Sequence, residues 1–189
     1  MKQLLLMAAL ASLSTSALAT DTIPLSPDYR KDDMVWIGAD IGKASIDTNT
    51  ADDGYHGQVK LGYDINQYAA IYGGIGGISV IDGENISFAQ MGVKLTKPLT
   101  ERLSLYATLG GVSALSGDVS QQLKGNLGIG ASYAITPRVS TQLGIDLKKG
   151  IAINSFENTD VNTLYWGLTY HFDRPDTSRK VIQQVNIIR

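Results

Sequence analysis

The sequence predicts an all-β protein, an eight-stranded antiparallel up-and-down transmembrane β-barrel. Eight segments of about ten residues alternate apolar and polar side chains, the length a tilted membrane-spanning strand needs. The connections between them alternate short and long, as they do in barrels of the bacterial outer membrane. The polar face is built from glycine, Gln, Asn, Ser, Lys and Asp, and so much glycine suits the crowded inside of a narrow barrel better than a solvated surface.

Bulk properties bound the alternatives. A chain of 189 residues defaults to one domain. Its formal net charge of −2 leaves no basic stripe to neutralise phosphates, so no nucleic acid is expected as a partner. Cysteine is absent and the only histidines are His56 and His171, which leaves no disulfide framework and no Cys/His metal site. No cofactor, metal ligand set or catalytic set is expected. Mean hydropathy near zero is too low for a helical membrane protein, but fits a barrel in which every second residue points inward.

The chain opens with Met1 to Ala19, MKQLLLMAALASLSTSALA. Lys2 supplies the positive start, Leu4 to Ala11 the apolar core, and Ala17-Leu18-Ala19 an A-x-A cleavage site. The apolar run falls short of the roughly 20 residues that span hydrocarbon. Residues 1–19 are therefore expected to be a signal peptide that directs export through the Sec pathway to the outer membrane. Residues 20–33, with Pro24, Pro27 and several charges, look like an irregular leader.

Strand one begins at Met34 and sets Val35, Ile37, Ala39 and Ile41 against Trp36, Gly38, Asp40 and Gly42. Strand two sets Tyr55, Gly57, Val59, Leu61 and Tyr63 against His56, Gln58, Lys60 and Gly62. Strand three, near Tyr68 to Ser79, has so much glycine that its faces are ambiguous. Strand four sets Ala89, Met91, Val93 and Leu95 against Gln90, Gly92 and Lys94. Strand five sets Leu103, Leu105, Ala107 and Leu109 against Ser104, Tyr106, Thr108 and Gly110. Leu127, Ile129, Ala131 and Tyr133 mark the apolar face of strand six; Val139, Leu143, Ile145 and Leu147 mark that of strand seven. Strand eight sets Leu164, Trp166, Leu168, Tyr170 and Phe172 against Tyr165, Gly167, Thr169 and His171.

The turns near Asn66, Pro98 and Pro137 are short; those near Asp52, Asp82, Asp118 and Glu157 are mostly longer and acidic. No proline lies inside a proposed strand. Trp36, Tyr63, Tyr68, Tyr133, Tyr170 and Phe172 gather at the short-turn end as an interfacial girdle, although Trp36 fits it by height and not by face. The opposite girdle is thin, with Tyr55 and Phe88 as its candidates. A soluble β-sandwich or a lipocalin-like barrel alternates too, but would bury the apolar side and wet the polar one.

Asp40, Lys60, Lys94, Asp146 and Lys148 are expected to form a lumen polar network, because charges inside a narrow barrel must pair or meet water. Asp40 and Lys60, on neighbouring strands, are the first candidate pair. A salt-bridged plug follows, with a small gated pore as the alternative. The acidic loops suggest solvation, or cation-bridged contact with lipopolysaccharide.

The closing segment Tyr165-Trp166-Gly167-Leu168-Thr169-Tyr170-His171-Phe172, with Val59-Lys60-Leu61-Gly62-Tyr63-Asp64-Ile65, resembles the transmembrane domain of outer-membrane protein A and its small relatives over residues 34–172. The resemblance implies insertion by the outer-membrane assembly machinery, with Gly167, Tyr170 and Phe172 as the closing-strand assembly signal. A monomer among outer-membrane lipids and lipopolysaccharide is expected. The larger relatives carry a periplasmic peptidoglycan-binding domain. Only residues 173–189 follow Phe172 here, so that activity is not expected; they are expected to form a C-terminal periplasmic tail, a disordered extension or a strand for a periplasmic partner. The functional expectation is a structural and surface-interaction barrel without catalysis. A narrow-lumen binding or transport barrel is the alternative. A lipid A-modifying enzyme is a third, resting on His56 near Asp52 and Asp53, with no nucleophile fixed by the sequence.

Overall fold

A computed structural model describes residues 29–46, 54–80, 85–115, 124–153 and 156–172, excepting the side chains of 46, 80 and 150–160. The signal peptide, the C-terminal tail and the acidic loop residues Asp47, Asp52, Asp53, Asp82, Glu84 and Asp118 lie outside the described residues, as do the side chains of Glu157 and Asp160.

Eight strands follow one another: β1 (Met34–Ile46), β2 (Gly54–Asn66), β3 (Ala69–Val80), β4 (Asn85–Pro98), β5 (Leu103–Ala114), β6 (Lys124–Ala134), β7 (Val139–Ile153) and β8 (Phe156–His171). Each pairs antiparallel with its neighbours in sequence, and β1 pairs with β8 from Trp36↔His171 to Ile46↔Val161 to close the barrel. Closure matters because hydrocarbon offers no hydrogen-bond partner to an open sheet edge. The short connections 67–68, 99–102 and 135–138 share one end with the start of β1 and the end of β8. The strands run 11 to 16 residues, longer than the roughly 9–11 needed to cross, and the β7–β8 hairpin carries the excess at the long-loop end, where its register shifts past Lys148.

The two faces separate cleanly. Ile37, Ile41, Leu61, Ile75, Met91, Leu109, Leu143, Leu164, Trp166 and Leu168 are exposed on the outside, as apolar side chains must be where the solvent is lipid. Asp40, His56, Gln58, Lys60, Gln90, Asn126, Gln142, Asp146 and Lys148 are buried on the inside. The ambiguous β3 is settled by its neighbours. The register Ile71↔Tyr63 and Tyr72↔Gly62 turns Ile71 and Ile75 out, and Ala70, Tyr72 and Ile78 in.

Three expectations change. Phe88 is fully buried inside the barrel and contributes nothing to an upper girdle. It is two residues from inward Gln90, so the strand period carries it inward. Trp36 follows its face and not its height, and is also buried in the lumen. Its ring lies against Gly62 of β2, where a Cβ would collide with it. Pro98 is not confined to a turn: it is the last residue of β4, paired with Ser104. The strand-end position is one at which the missing N–H costs little.

Candidate functional site

The lumen is the only chemically varied space among the described residues, and it has three levels. At the long-loop end, inward side chains make an apolar cap of Ala44, Ile78, Ile86, Phe88, Val112 and Val161. Each sits toward the long-loop part of its strand on the inward parity, with the buried polar side chains of His56 and Lys148 at the same level. His56 stacks on Phe88, with ring centroids 5.6 Å apart and planes 9° from parallel. The Lys148 ammonium lies 5.3 Å from the centre of the same ring and 3.6 Å from Asp146. Lys148 is 0% exposed, and neither nitrogen of His56 has a hydrogen-bond partner. Among the described residues His56 is therefore a buried lumen side chain packed on Phe88.

The middle level is organised around Asp40, which is 1% exposed. Lys60 Nζ lies 2.5 Å from its carboxylate. Gln58 Nε2 donates to it at 2.7 Å and Gln142 Nε2 at 2.6 Å. Gln90 Nε2 donates to Gln58 Oε1 at 2.8 Å, and Asn126 Nδ2 to Gln90 Oε1 at 3.2 Å. This belt joins β7, β1, β2, β4 and β6 across the barrel, and each bond satisfies a group that is costly to bury alone. Beside it, the hydroxyls of Tyr106 and Tyr165 meet at 2.8 Å. Gly167 leaves the room that the Asp40 carboxylate fills, since a Cβ there would strike Oδ1.

Charges differ at the short-turn level. Lys94 points inward with its ammonium 4.6 Å from the centre of the Tyr106 ring and 5.6 Å from that of Trp36, and no carboxylate lies within ion-pair distance among the described residues. It thus stands apart from the salt-bridged network expected of the five lumen charges: Asp40–Lys60 and Asp146–Lys148 pair, and Lys94 does not. His171 Nε2 lies 3.3 Å from Asp64. Residues 29–33 cross the mouth as a strap. Lys31 Nζ donates to Ser140 Oγ at 2.9 Å, the Gln67 amide donates to Asp32, and the Tyr63 hydroxyl donates to Asp33 at 3.0 Å. Asp33 has φ 55°, the left-handed conformation that turns the strap into β1. Burial lowers the Lys31 amine to about pKa 8, against the opposing pull of Asp64. A cavity of about 50 Å³ remains at this end, lined by Lys31, Lys94, Thr96, Ser104, Ser132 and His171 among others.

The closing-strand residues divide between the two faces. Tyr170 and Phe172 are exposed outside and meet edge to face at 5.3 Å and 81°, and the Phe172 amide donates to the Val35 carbonyl. Gly167 points inward against Asp40. Sequence reasoning missed the apolar cap, Tyr72 and the strap. The cap had a signal, the inward parity of Ile86 and Phe88 with Gln90; the strap had none.

Comparison with known proteins fits this geometry. The family model described as "Outer membrane protein beta-barrel domain" matches residues 5–172, and the chain belongs to that family. Among solved structures, the N-terminal β-barrel domain of Pseudomonas aeruginosa OprF is 16% identical with a TM-score of 0.55, over 75% of this chain and 98% of that one. Neisserial surface protein A is 20% identical with a TM-score of 0.51, over 74% and 96%. The attachment invasion locus protein of Yersinia pestis is 13% identical with a TM-score of 0.53, over 75% and 99%. At these identities the likeness concerns the fold. No curated protein matches the chain. It is a small β-barrel of the bacterial outer membrane.

Proposed function

We propose that this barrel serves the outer membrane structurally and through its surfaces, as a closed monomer without catalysis. One observation carries the reading: among the described residues, side chains occupy the lumen at all three levels, leaving a small cavity. The apolar cap seals the long-loop end, the Asp40 belt crosses the middle and the strap occupies the short-turn end. Eight strands leave an interior just wide enough for side chains. A filled interior leaves the outside as the working surface. Its apolar wall meets the acyl chains, and Lys43, Lys149 and Tyr55 stand exposed on the outer face toward the long-loop rim. Long lysines at that depth reach the headgroup layer, which supports contact with lipopolysaccharide phosphates. Reading the chain as an exported Sec substrate, inserted by the outer-membrane assembly machinery, rests on the signal-like start and the outward Tyr170–Phe172 pair. A periplasmic partner for the tail rests on its β-prone residues alone.

The test is planar-bilayer recording of the purified, refolded protein. Conductance is expected to be absent or limited to brief, small events. A large, steady open state rejects the closed-barrel reading and favours transport.

A further inference from the structure

The short-turn mouth carries a feature that a purely structural plug does not require. We propose that this mouth is a binding site for a small oxyanion, a phosphate or carboxylate, held between the ammonium groups of Lys31 and Lys94.

The lumen treats its lysines unequally. Lys60 has Asp40 at 2.5 Å and Lys148 has Asp146 at 3.6 Å, so both carry built-in counterions. Lys94 has only the ring faces of Tyr106 and Trp36. Lys31, arriving from the strap, bonds the neutral Ser140 hydroxyl. The two amines line one cavity and oppose each other's charge. Asp64, the inward carboxylate at this level, lies 3.3 Å from His171 but also lines the cavity and attracts both amines, so like Glu101 it opposes an anion there. Glu101 stands on the rim and opposes an anion, while Arg102 beside it favours one. The hydroxyls of Thr96, Ser104 and Ser132 complete a wall rich in donors.

The size agrees. A cavity of about 50 Å³ holds a few waters at roughly 10–15 Å³ each, or one tetrahedral oxyanion in their place. Two like charges facing each other across such a space repel. An anion between them turns that repulsion into two charge-assisted hydrogen bonds. Its lining side chains point into the lumen, so the site is reached along the barrel axis from the periplasm. The source is a free anion and not the phosphate of a lipid outside the wall.

The experiment uses the full mature chain refolded in dodecyl maltoside, a detergent without phosphate, in chloride at constant ionic strength. Inorganic phosphate is titrated calorimetrically, and then acetate. Saturable one-to-one binding is expected, weakened about tenfold or more by Lys31→Gln and by Lys94→Gln, as the loss of one charge-assisted hydrogen bond implies. The gel shift on boiling reports whether each variant is folded. Should Lys94→Gln not fold, Lys31→Gln decides, since residue 31 lies outside the strands. Repeating the titration in phospholipid nanodiscs separates the sources: equal affinity is expected, and affinity suppressed by the lipid assigns the site to headgroup phosphate and overturns the free-anion proposal. Absence of saturable binding, or wild-type affinity in a folded Lys31→Gln, also overturns it. None of these results bears on whether the lumen conducts.

Discussion

Replacing Asp40 by alanine removes the acceptor at the centre of the lumen belt. Lys60 then keeps a buried charge without a counterion, and the amides of Gln58 and Gln142 lose the oxygens they donate to at 2.7 and 2.6 Å. Breaking one side of a buried pair costs about 3–5 kcal/mol. Lys60 retains the rings of Tyr165 at 5.1 Å and Tyr72 at 6.0 Å, and Gln58 still accepts from Gln90. Cation–π contacts of this kind return on the order of 0.5–2 kcal/mol. The expected loss for Asp40→Ala is therefore about 3 kcal/mol. The double variant Asp40→Ala/Lys60→Met removes both charges, and should cost only about 1–2 kcal/mol, because an orphaned charge is worse than a missing pair. Reversible urea unfolding in lipid vesicles measures both, through the midpoint at constant slope. An unchanged midpoint in Asp40→Ala refutes the belt as a stabilising element. A double variant as unstable as the sum of the singles refutes the orphaned-charge reasoning.

Two further outcomes follow from the outer face. Leu168 is exposed to lipid and pairs with Ala39 in the middle of β1, so Leu168→Lys should lower stability by about 2–4 kcal/mol in the same urea assay, while Leu168→Ile stays near wild type. Phe172→Ala loses the edge-to-face contact with Tyr170, worth about 1 kcal/mol, together with an interfacial anchor, and should reduce the inserted fraction on membrane fractionation, whereas truncation after Phe172 leaves insertion intact.

The strands were legible because lipid outside and polar contacts inside impose opposite preferences on alternate residues. Asp40 and Lys60 lie on adjacent strands with Asp40↔Gln58 in register, so their meeting is a near-neighbour inference. The remainder of the belt is not of that kind. Gln142 reaches Asp40 across 102 residues and Asn126 reaches Gln90 across 36, which only a closed barrel of particular diameter allows. The apolar cap was hidden by a local exception: around Ile86 and Phe88 the inward face is apolar, so polarity no longer separates inside from outside. Residues 29–33 carry no periodicity, and Lys31 finds Ser140 at a separation of 109 residues.

In the closed-barrel reading proposed above, these levels close the lumen by different physics. The cap excludes water through apolar packing, and losing one of its side chains leaves a void that neighbouring methyl groups partly fill. In the middle, closure depends on one carboxylate serving three donors, so it fails sharply when Asp40 is removed. The strap closes the third level with few contacts and retains a cavity. Displacing it would wet the lumen only as far as the belt. Among the described residues the cavity lies at the short-turn level, and the lysine without a carboxylate within ion-pair distance stands there.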